Sequence, residues 1–188
     1  MSGATVVEAA GRSARPAEVP VWDPLVRLFH WSLAVAFFAA WLSEDVMPLH
    51  EAAGYVVLGL VAFRVVWGVV GPQHARFTDF VHGPRAALAY LRDLGSGRAR
   101  RYLGHTPAGG LMVVALLVML TATGVTGWLA LDAGPGRGWL EELHEAMANA
   151  TLLLVGLHVL GVLVGSVAHG ENLVRAMITG RKRAAEEA

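Results

Sequence analysis

The stretch AGGLMVVALLVMLTATGVTGWLAL, residues 108–131, decides the fold of this chain, because none of its 24 positions carries a charge. An α-helix needs about 20 apolar residues to cross the ~30 Å hydrocarbon core of a bilayer. A helix in a soluble bundle would show a polar face at helical spacing, and this stretch shows none. It therefore predicts a transmembrane helix.

Three further apolar runs of similar length accompany this stretch, at residues 25–42, 52–70 and 146–168. Overall, 55% of the residues are hydrophobic and only 16% are charged, where soluble domains carry about 25%. We therefore predict an all-α membrane protein with a bundle of four transmembrane helices. The formal net charge is zero, which gives no basic excess for binding nucleic acid.

Basic residues are distributed unequally between the two sides of the predicted bundle. Twelve Lys and Arg residues occur in segments 1–24, 72–106 and 169–188, against one in segments 43–51 and 132–145. Cytoplasmic loops carry the excess of Lys and Arg, so we expect cytoplasmic termini and a cytoplasmic loop between helices 2 and 3. Residues 1–20 lack the apolar core of a signal peptide. We expect them to form a flexible tail before one domain at 21–183, with a second tail at 184–188.

The long loop, residues 72–106, is predicted to be partly helical, because Pro84 can start a helix that continues to Leu94. One side of this helix would be apolar and the other basic. We expect it to lie on the cytoplasmic membrane surface, or to be a solvated helix packed on the bundle. The apolar positions are Ala87, Leu88 and Leu91, and the basic positions include Arg85 and Arg92.

Four histidines lie at matching depths in the predicted helices. His144 and His158 are 14 residues apart, which is about 40° short of four turns and ~21 Å along the axis, so both project from one face. His50 begins the parallel helix 2 at the depth of His144. His30 lies inside the antiparallel helix 1, nearer the depth of His158. We name His50 and His144 the outer pair, and His30 and His158 the inner pair.

Two imidazoles that face each other across a bundle suit a haem iron with two axial nitrogens. A catalytic zinc site would use three protein ligands, and no acidic residue lies within the apolar runs to complete a divalent site. The absence of cysteine excludes iron–sulfur clusters and covalent haem attachment. We therefore expect two b haems per chain. A metal-ion transporter with histidine ligands is the alternative from a different class.

Two arginines in the apolar runs are candidate partners for haem propionates, since guanidinium and carboxylate groups pair well. Arg64 follows His50 by 14 residues and shares its helix face, which places it near the depth of His158. Arg27 lies one turn before His30. Each could instead extend to the membrane interface, as long basic side chains often do.

Several short motifs together resemble the bacterial cytochrome b561 / Ni,Fe-hydrogenase b-type cytochrome family. The resemblance covers about residues 20–183, and the sequence ENLxRAM at 171–177 is similar to a subgroup of the family. The motifs are RLFHW at 27–31, HExxG at 50–54, FRxxWG at 63–68 and LGHTP at 103–107.

The resemblance implies a four-helix membrane anchor that holds b haems and exchanges electrons with quinone. Its haem-ligand positions match His30, His50, His144 and His158. The partners implied are c-type cytochromes or hydrogenase subunits. We therefore expect a b-type cytochrome of the bacterial inner membrane, in contact with lipid, that transfers electrons between quinone and a periplasmic redox protein. Whether it acts as an enzyme or as an electron-transfer subunit stays open, and a homodimer is compatible with it.

A narrower alternative is a superoxide:quinone oxidoreductase that acts at the outer haem. The outer loops are rich in acidic residues, which favours a cationic partner over an anionic oxidant. His105, near the cytoplasmic start of helix 3, could transfer protons beside a quinone site, but a polar loop residue is the favoured interpretation. The outer acids are Glu44, Asp45, Glu51, Asp132, Glu141, Glu142 and Glu145.

Overall fold

A computed structural model describes residues 17–131 and 137–184 of the chain. This part contains seven α-helices, a short 3₁₀ turn at Gln73–Ala75 and two three-residue strands. In chain order the elements are β1 (Glu18–Pro20), α1 (Pro24–Leu42), α2 (Met47–Val70), α3 (Phe77–Phe80), α4 (Pro84–Gly95), α5 (Pro107–Leu131), α6 (Gly138–Ala168), α7 (Leu173–Thr179) and β2 (Arg181–Arg183).

The four predicted membrane spans are confirmed as α1, α2, α5 and α6, which are long and apolar enough to cross a bilayer. Two of them begin earlier than the apolar runs suggested, α2 at Met47 and α6 at Gly138. The extra turns contain charged residues, so hydropathy missed them although the backbone is helical. His50 and His144 consequently lie inside their helices, where the backbone fixes the direction of each side chain.

Packing between the four spans is uneven. α1 packs along α2, α5 packs along α6, and α2 contacts α5. Among the described residues, α6 makes no comparable contact with α1 or α2. The buried core lies at the junction of α1, α2 and α5 and consists of Phe29, Ala36, Phe37, Val57, Val61, Leu117 and Leu120.

The two ends of the described chain meet at one end of the bundle. Glu18–Pro20 pairs in antiparallel fashion with Arg181–Arg183, which the sequence did not predict. The expected flexible tail over residues 1–20 is therefore wrong for Glu18–Pro20, which forms a paired strand. An even number of spans returns the chain to the side where it started, which brings the two segments together. Residues 1–16 and 185–188 of the predicted tails lie outside the described residues.

We call the end of the bundle that carries β1, β2, α3 and α4 the basic end, and the opposite end the acidic end. The predicted helix at 84–94 is confirmed as α4. It buries Ala87 and Tyr90 and leaves Leu88 and Leu91 exposed. The apolar stripe expected from the sequence is therefore split, because Tyr90 takes the buried position beside Ala87.

Candidate functional site

The structure brings His50 of α2 and His144 of α6 together near the acidic end, with their ring centres 5.9 Å apart. The Nδ1 of His50 lies 2.9 Å from the carbonyl oxygen of Ala40. The Nδ1 of His144 lies 2.9 Å from the carbonyl oxygen of Thr123. A carbonyl oxygen can only accept, so both Nδ1 atoms carry the proton and donate it. Each Nε2 then keeps a lone pair that can bind a metal.

The inner pair lies closer to the basic end, with the ring centres of His30 on α1 and His158 on α6 6.3 Å apart. The Nδ1 of His30 is buried and has no hydrogen-bond partner. The indole of Trp31 packs edge-on against His30, with ring centres 5.1 Å apart. The inner pair therefore differs from the outer pair, because no carbonyl fixes the tautomer of His30.

Both separations fit one metal ion between two imidazoles. With about 2 Å for each metal–nitrogen bond and about 1.1 Å from each nitrogen to its ring centre, the ring centres should lie roughly 6.2 Å apart. The observed separations of 5.9 and 6.3 Å are close to this value. Each pair joins α6 to a helix with which it makes no extensive contact, which leaves room for a flat cofactor between them.

Glycines open space beside the histidines. A Cβ atom built on Gly127 would lie 2.9 Å from Cε1 of His144. Only glycine at this position therefore leaves room for the imidazole where it lies. At Gly54, one turn after His50 on the same face of α2, a Cβ would meet nothing within 4 Å. The outer pair is therefore bordered by unfilled space, which fits a macrocycle.

Arg64 is a buried cation without an ionic partner in the described part of the chain. Its residue is 2% exposed, and its guanidinium carbon lies 5.1 Å from the ring centre of Phe77 and 5.8 Å from that of Phe80. Its Nη1 is buried and makes no hydrogen bond. The guanidinium of Arg64 is therefore covered by protein, and its Nη1 is available to an anionic acceptor.

Arg27 is partly engaged elsewhere. Its Nη2 donates to the carbonyl oxygen of Ile178 in α7, which ties α1 to the C-terminal segment. Its Nε is buried without a partner. An open groove of about 300 Å³ lies beside it, lined by Pro24, Arg27, Leu28, Trp31 and Ile178.

His105 lies in the loop before α5, as expected, but aromatic side chains pack against its ring. Its ring packs 4.6 Å from that of Trp22 and 4.4 Å from that of Phe80, and its Nδ1 is buried without a partner. Burial, followed by the positive charges of Arg64 and Lys182, lowers the pKa of His105 to about 3. His105 is therefore neutral at physiological pH. The aromatic residues that cover it come from distant segments, so local sequence could not reveal its burial.

Sequence reasoning also missed an ionic cluster that holds the C-terminal segment at the basic end. Arg101 Nη2 lies 2.9 Å from Glu171 Oε1, and Lys182 Nζ lies 3.7 Å from Glu171 Oε2. The backbone N–H of Arg183 also donates to Glu171 at 2.9 Å. Burial opposes ionisation of Glu171, but Arg101, Arg183 N–H and Lys182 outweigh it and lower its pKa.

Over residues 17–131 and 137–184, no group of three or more His, Asp or Glu side chains is placed to hold a metal ion. The histidines instead occur as two separated pairs.

A family model for prokaryotic cytochrome b561 matches residues 21–180, which include all four paired histidines and Arg64. The chain belongs to this family. It is therefore a b-type cytochrome that spans a bacterial membrane several times and transfers electrons. The resemblance inferred from the RLFHW and LGHTP motifs is confirmed.

Curated relatives match this cytochrome over most of both chains. It is 23% identical to a "Probable Ni/Fe-hydrogenase B-type cytochrome subunit" of Rhodobacter capsulatus, over 89% of this chain and 82% of that protein. A protein of the same name from Rhizobium leguminosarum bv. viciae is 22% identical, over 87% and 88% of the two chains. No solved structure matches.

Proposed function

We propose that this cytochrome carries electrons across the bacterial inner membrane between a periplasmic redox partner and quinone. Two b haems would be bound, one by the outer pair and one by the inner pair. The observation that carries the proposal is the separation of the ring centres, 5.9 Å in one pair and 6.3 Å in the other. When bound, haem supplies reversible one-electron chemistry at iron.

The histidine pairs would define a path through the bundle. His144 and His158 are separated by ~21 Å along α6, a large part of the ~30 Å hydrocarbon core. In the outer pair, the carbonyl oxygens of Ala40 and Thr123 hold the imidazoles in the tautomer that coordinates iron. Such acceptors also raise the basicity of a ligand histidine. The protein around both pairs would exclude water.

Arg64 would bind a propionate of the inner haem. A buried guanidinium with an unpaired Nη1 is energetically costly without an acceptor. The rings of Phe77 and Phe80 cover it from the basic end, so the acceptor has to come from inside the bundle. Arg27, whose Nε is unpaired beside His30, is a second candidate for the same haem.

The acidic end would face the periplasm and receive the partner. The acids Glu44, Asp45, Glu51, Glu141, Glu142 and Glu145 are all exposed there, and Asp132 lies outside the described residues. The names of the relatives suggest a Ni/Fe hydrogenase as the partner, and a basic c-type cytochrome has the complementary charge. An anionic oxidant such as superoxide would be repelled, which disfavours the narrower alternative.

Quinone would react at the basic end, on the cytoplasmic side, beside the inner pair. The groove lined by Arg27, Leu28 and Trp31 opens from the surface of α1 next to His30. It is mainly apolar, and the indole of Trp31 contacts His30. A quinone ring in this groove would lie close to the inner haem and could be reached from the bilayer.

The proposal is tested by haem quantitation and a reduced-minus-oxidised spectrum of the purified protein. We expect two b haems per chain. His50→Ala and His144→Ala should each remove the outer haem and spare the inner one, whereas His30→Ala and His158→Ala should do the reverse. A colourless protein would refute the proposal. Loss of the same haem from His30→Ala and His144→Ala would refute the pairing by depth.

A further inference from the structure

Helix α4 has an exposed apolar side that the bundle does not cover. Ala87 is 2% exposed and faces α5, whereas Leu88 and Leu91 are 67% and 50% exposed. At ~100° per residue, Leu91 and Leu88 lie about 40° and 100° around the helix from Ala87. Arg92 and Arg85 follow at about 140° and 160°. Going around the helix axis, a buried side is therefore followed by an exposed apolar side and then by a basic side.

The chain enters α4 beside an apolar groove on the surface of α5. An open groove of about 520 Å³ is lined by residues of the α3 segment and of α5, among them Val81, Val114 and Val118. Val114 lies seven residues, or about 10 Å, inside the start of α5. Val81 and Val118 are both exposed beside this groove. Since α4 begins three residues after Val81, its start lies close to this exposed apolar surface.

We propose that α4 lies in the membrane leaflet at the basic end and binds anionic lipid headgroups. Leu88 and Leu91 contact acyl chains, and Arg85 and Arg92 extend to the phosphates. This inference concerns a lipid surface only and is independent of haem binding and of the redox partner.

The surrounding charges specify anionic rather than zwitterionic lipid. Arg76, Arg98 and Arg100 are exposed near α4 in the same loop. Glu171 and Glu18 pair with Arg101 and Arg181, and the six arginines of residues 72–106 outnumber the two acids there, Asp79 and Asp93. Each basic residue near an anionic surface adds to the attraction.

The absence of cysteine allows single spin labels to be placed on α4 in the full chain with haem bound. Leu88→Cys and Leu91→Cys report on the apolar side. Ala89→Cys, exposed and about 200° around the helix from Ala87, is the matched control. In nanodiscs that contain phosphatidylglycerol, labels at 88 and 91 should collide more with oxygen than with a water-soluble nickel chelate. The label at 89 should show the reverse.

Equal access of the nickel chelate to positions 88 and 89 would show that α4 faces water and would overturn the inference. Shielding of position 88 from both reagents would show that protein covers this side, and would overturn it as well. A second comparison uses nanodiscs that contain phosphatidylglycerol and nanodiscs of phosphatidylcholine alone. The label at 88 should lie deeper in the anionic discs, and Arg85→Gln with Arg92→Gln should abolish that difference. Equal depth in both lipids would refute the headgroup preference.

Discussion

Gly127 leaves room for one imidazole of the outer pair, and replacing it with alanine should weaken that site specifically. The added Cβ would lie 2.9 Å from Cε1 and 3.0 Å from Nδ1 of His144. The first distance is about 0.6 Å shorter than the ~3.5 Å of an optimal carbon–carbon contact. The ring must move away from α5, and Thr123, whose carbonyl oxygen accepts from His144 Nδ1, lies one turn earlier on that helix.

The expected loss of haem affinity follows from the hydrogen bond between His144 and Thr123 that the substitution breaks. Displacing the ring by about 0.6 Å lengthens the 2.9 Å Nδ1–oxygen distance beyond good hydrogen-bond geometry. A typical intramolecular hydrogen bond contributes about 1 kcal/mol. Loss of such a partner typically reduces metal affinity ~10–100-fold. Alanine is about 1 kcal/mol better than glycine inside a helix, so α5 itself should not be weakened.

We therefore expect Gly127→Ala to bind the outer haem about 10–100-fold more weakly and to retain the inner haem at full occupancy. Haem content and redox titration of the purified protein measure both. Gly59→Ala is the matched control, since a Cβ there meets nothing within 4 Å, and Gly59 lies two and a half turns after His50, on the opposite face of α2. Full outer-haem occupancy and an unchanged outer potential in Gly127→Ala would refute the reasoning.

Three further predictions follow from charged residues. Arg64→Ala should lower the potential of the inner haem without removing it, because loss of a nearby positive charge favours the oxidised state; an unchanged potential in a redox titration would exclude contact with that haem. Glu141→Lys with Glu142→Lys should slow reduction by a cationic protein at low salt with unaltered haem spectra, whereas rates independent of ionic strength would contradict steering. The lowered pKa of Glu171, whose ion pairs outweigh the opposing effect of burial, stabilises the fold above the unfolded value of about 4.3, and this stability is lost as pH falls through the folded pKa. Hydrogen exchange of β2 should therefore accelerate in acid, and Glu171→Gln should make it fast at neutral pH.

Local sequence predicted the membrane spans well, because a charge-free stretch of sufficient length is a property of neighbouring residues. The bilayer admits few alternatives, since every backbone polar group in its core must bond internally and a single segment achieves this only as a helix. The partnership of His50 with His144 follows from helix periodicity and direction. It required no knowledge of which helices touch.

The first residues of α2 and α6 were predicted less accurately from the sequence. Their first turns carry charges such as Glu51 and Glu141 and extend the helices beyond the apolar runs. Hydropathy marks where the bilayer begins, whereas the backbone hydrogen bonds mark where the helix begins. These two boundaries differ by five residues in α2 and eight in α6.

The sequence by itself determined the helical membrane class, the four spans and the depth of each histidine, all of which depend on local composition and a fixed helical period. Only the tertiary structure decided the surroundings of those residues. It placed Arg64 beneath Phe77 and Phe80 and buried the ring of His105. It also joined Arg101 to Glu171 across 70 residues of chain. Such contacts form between segments that packing brings together, and no local pattern encodes them.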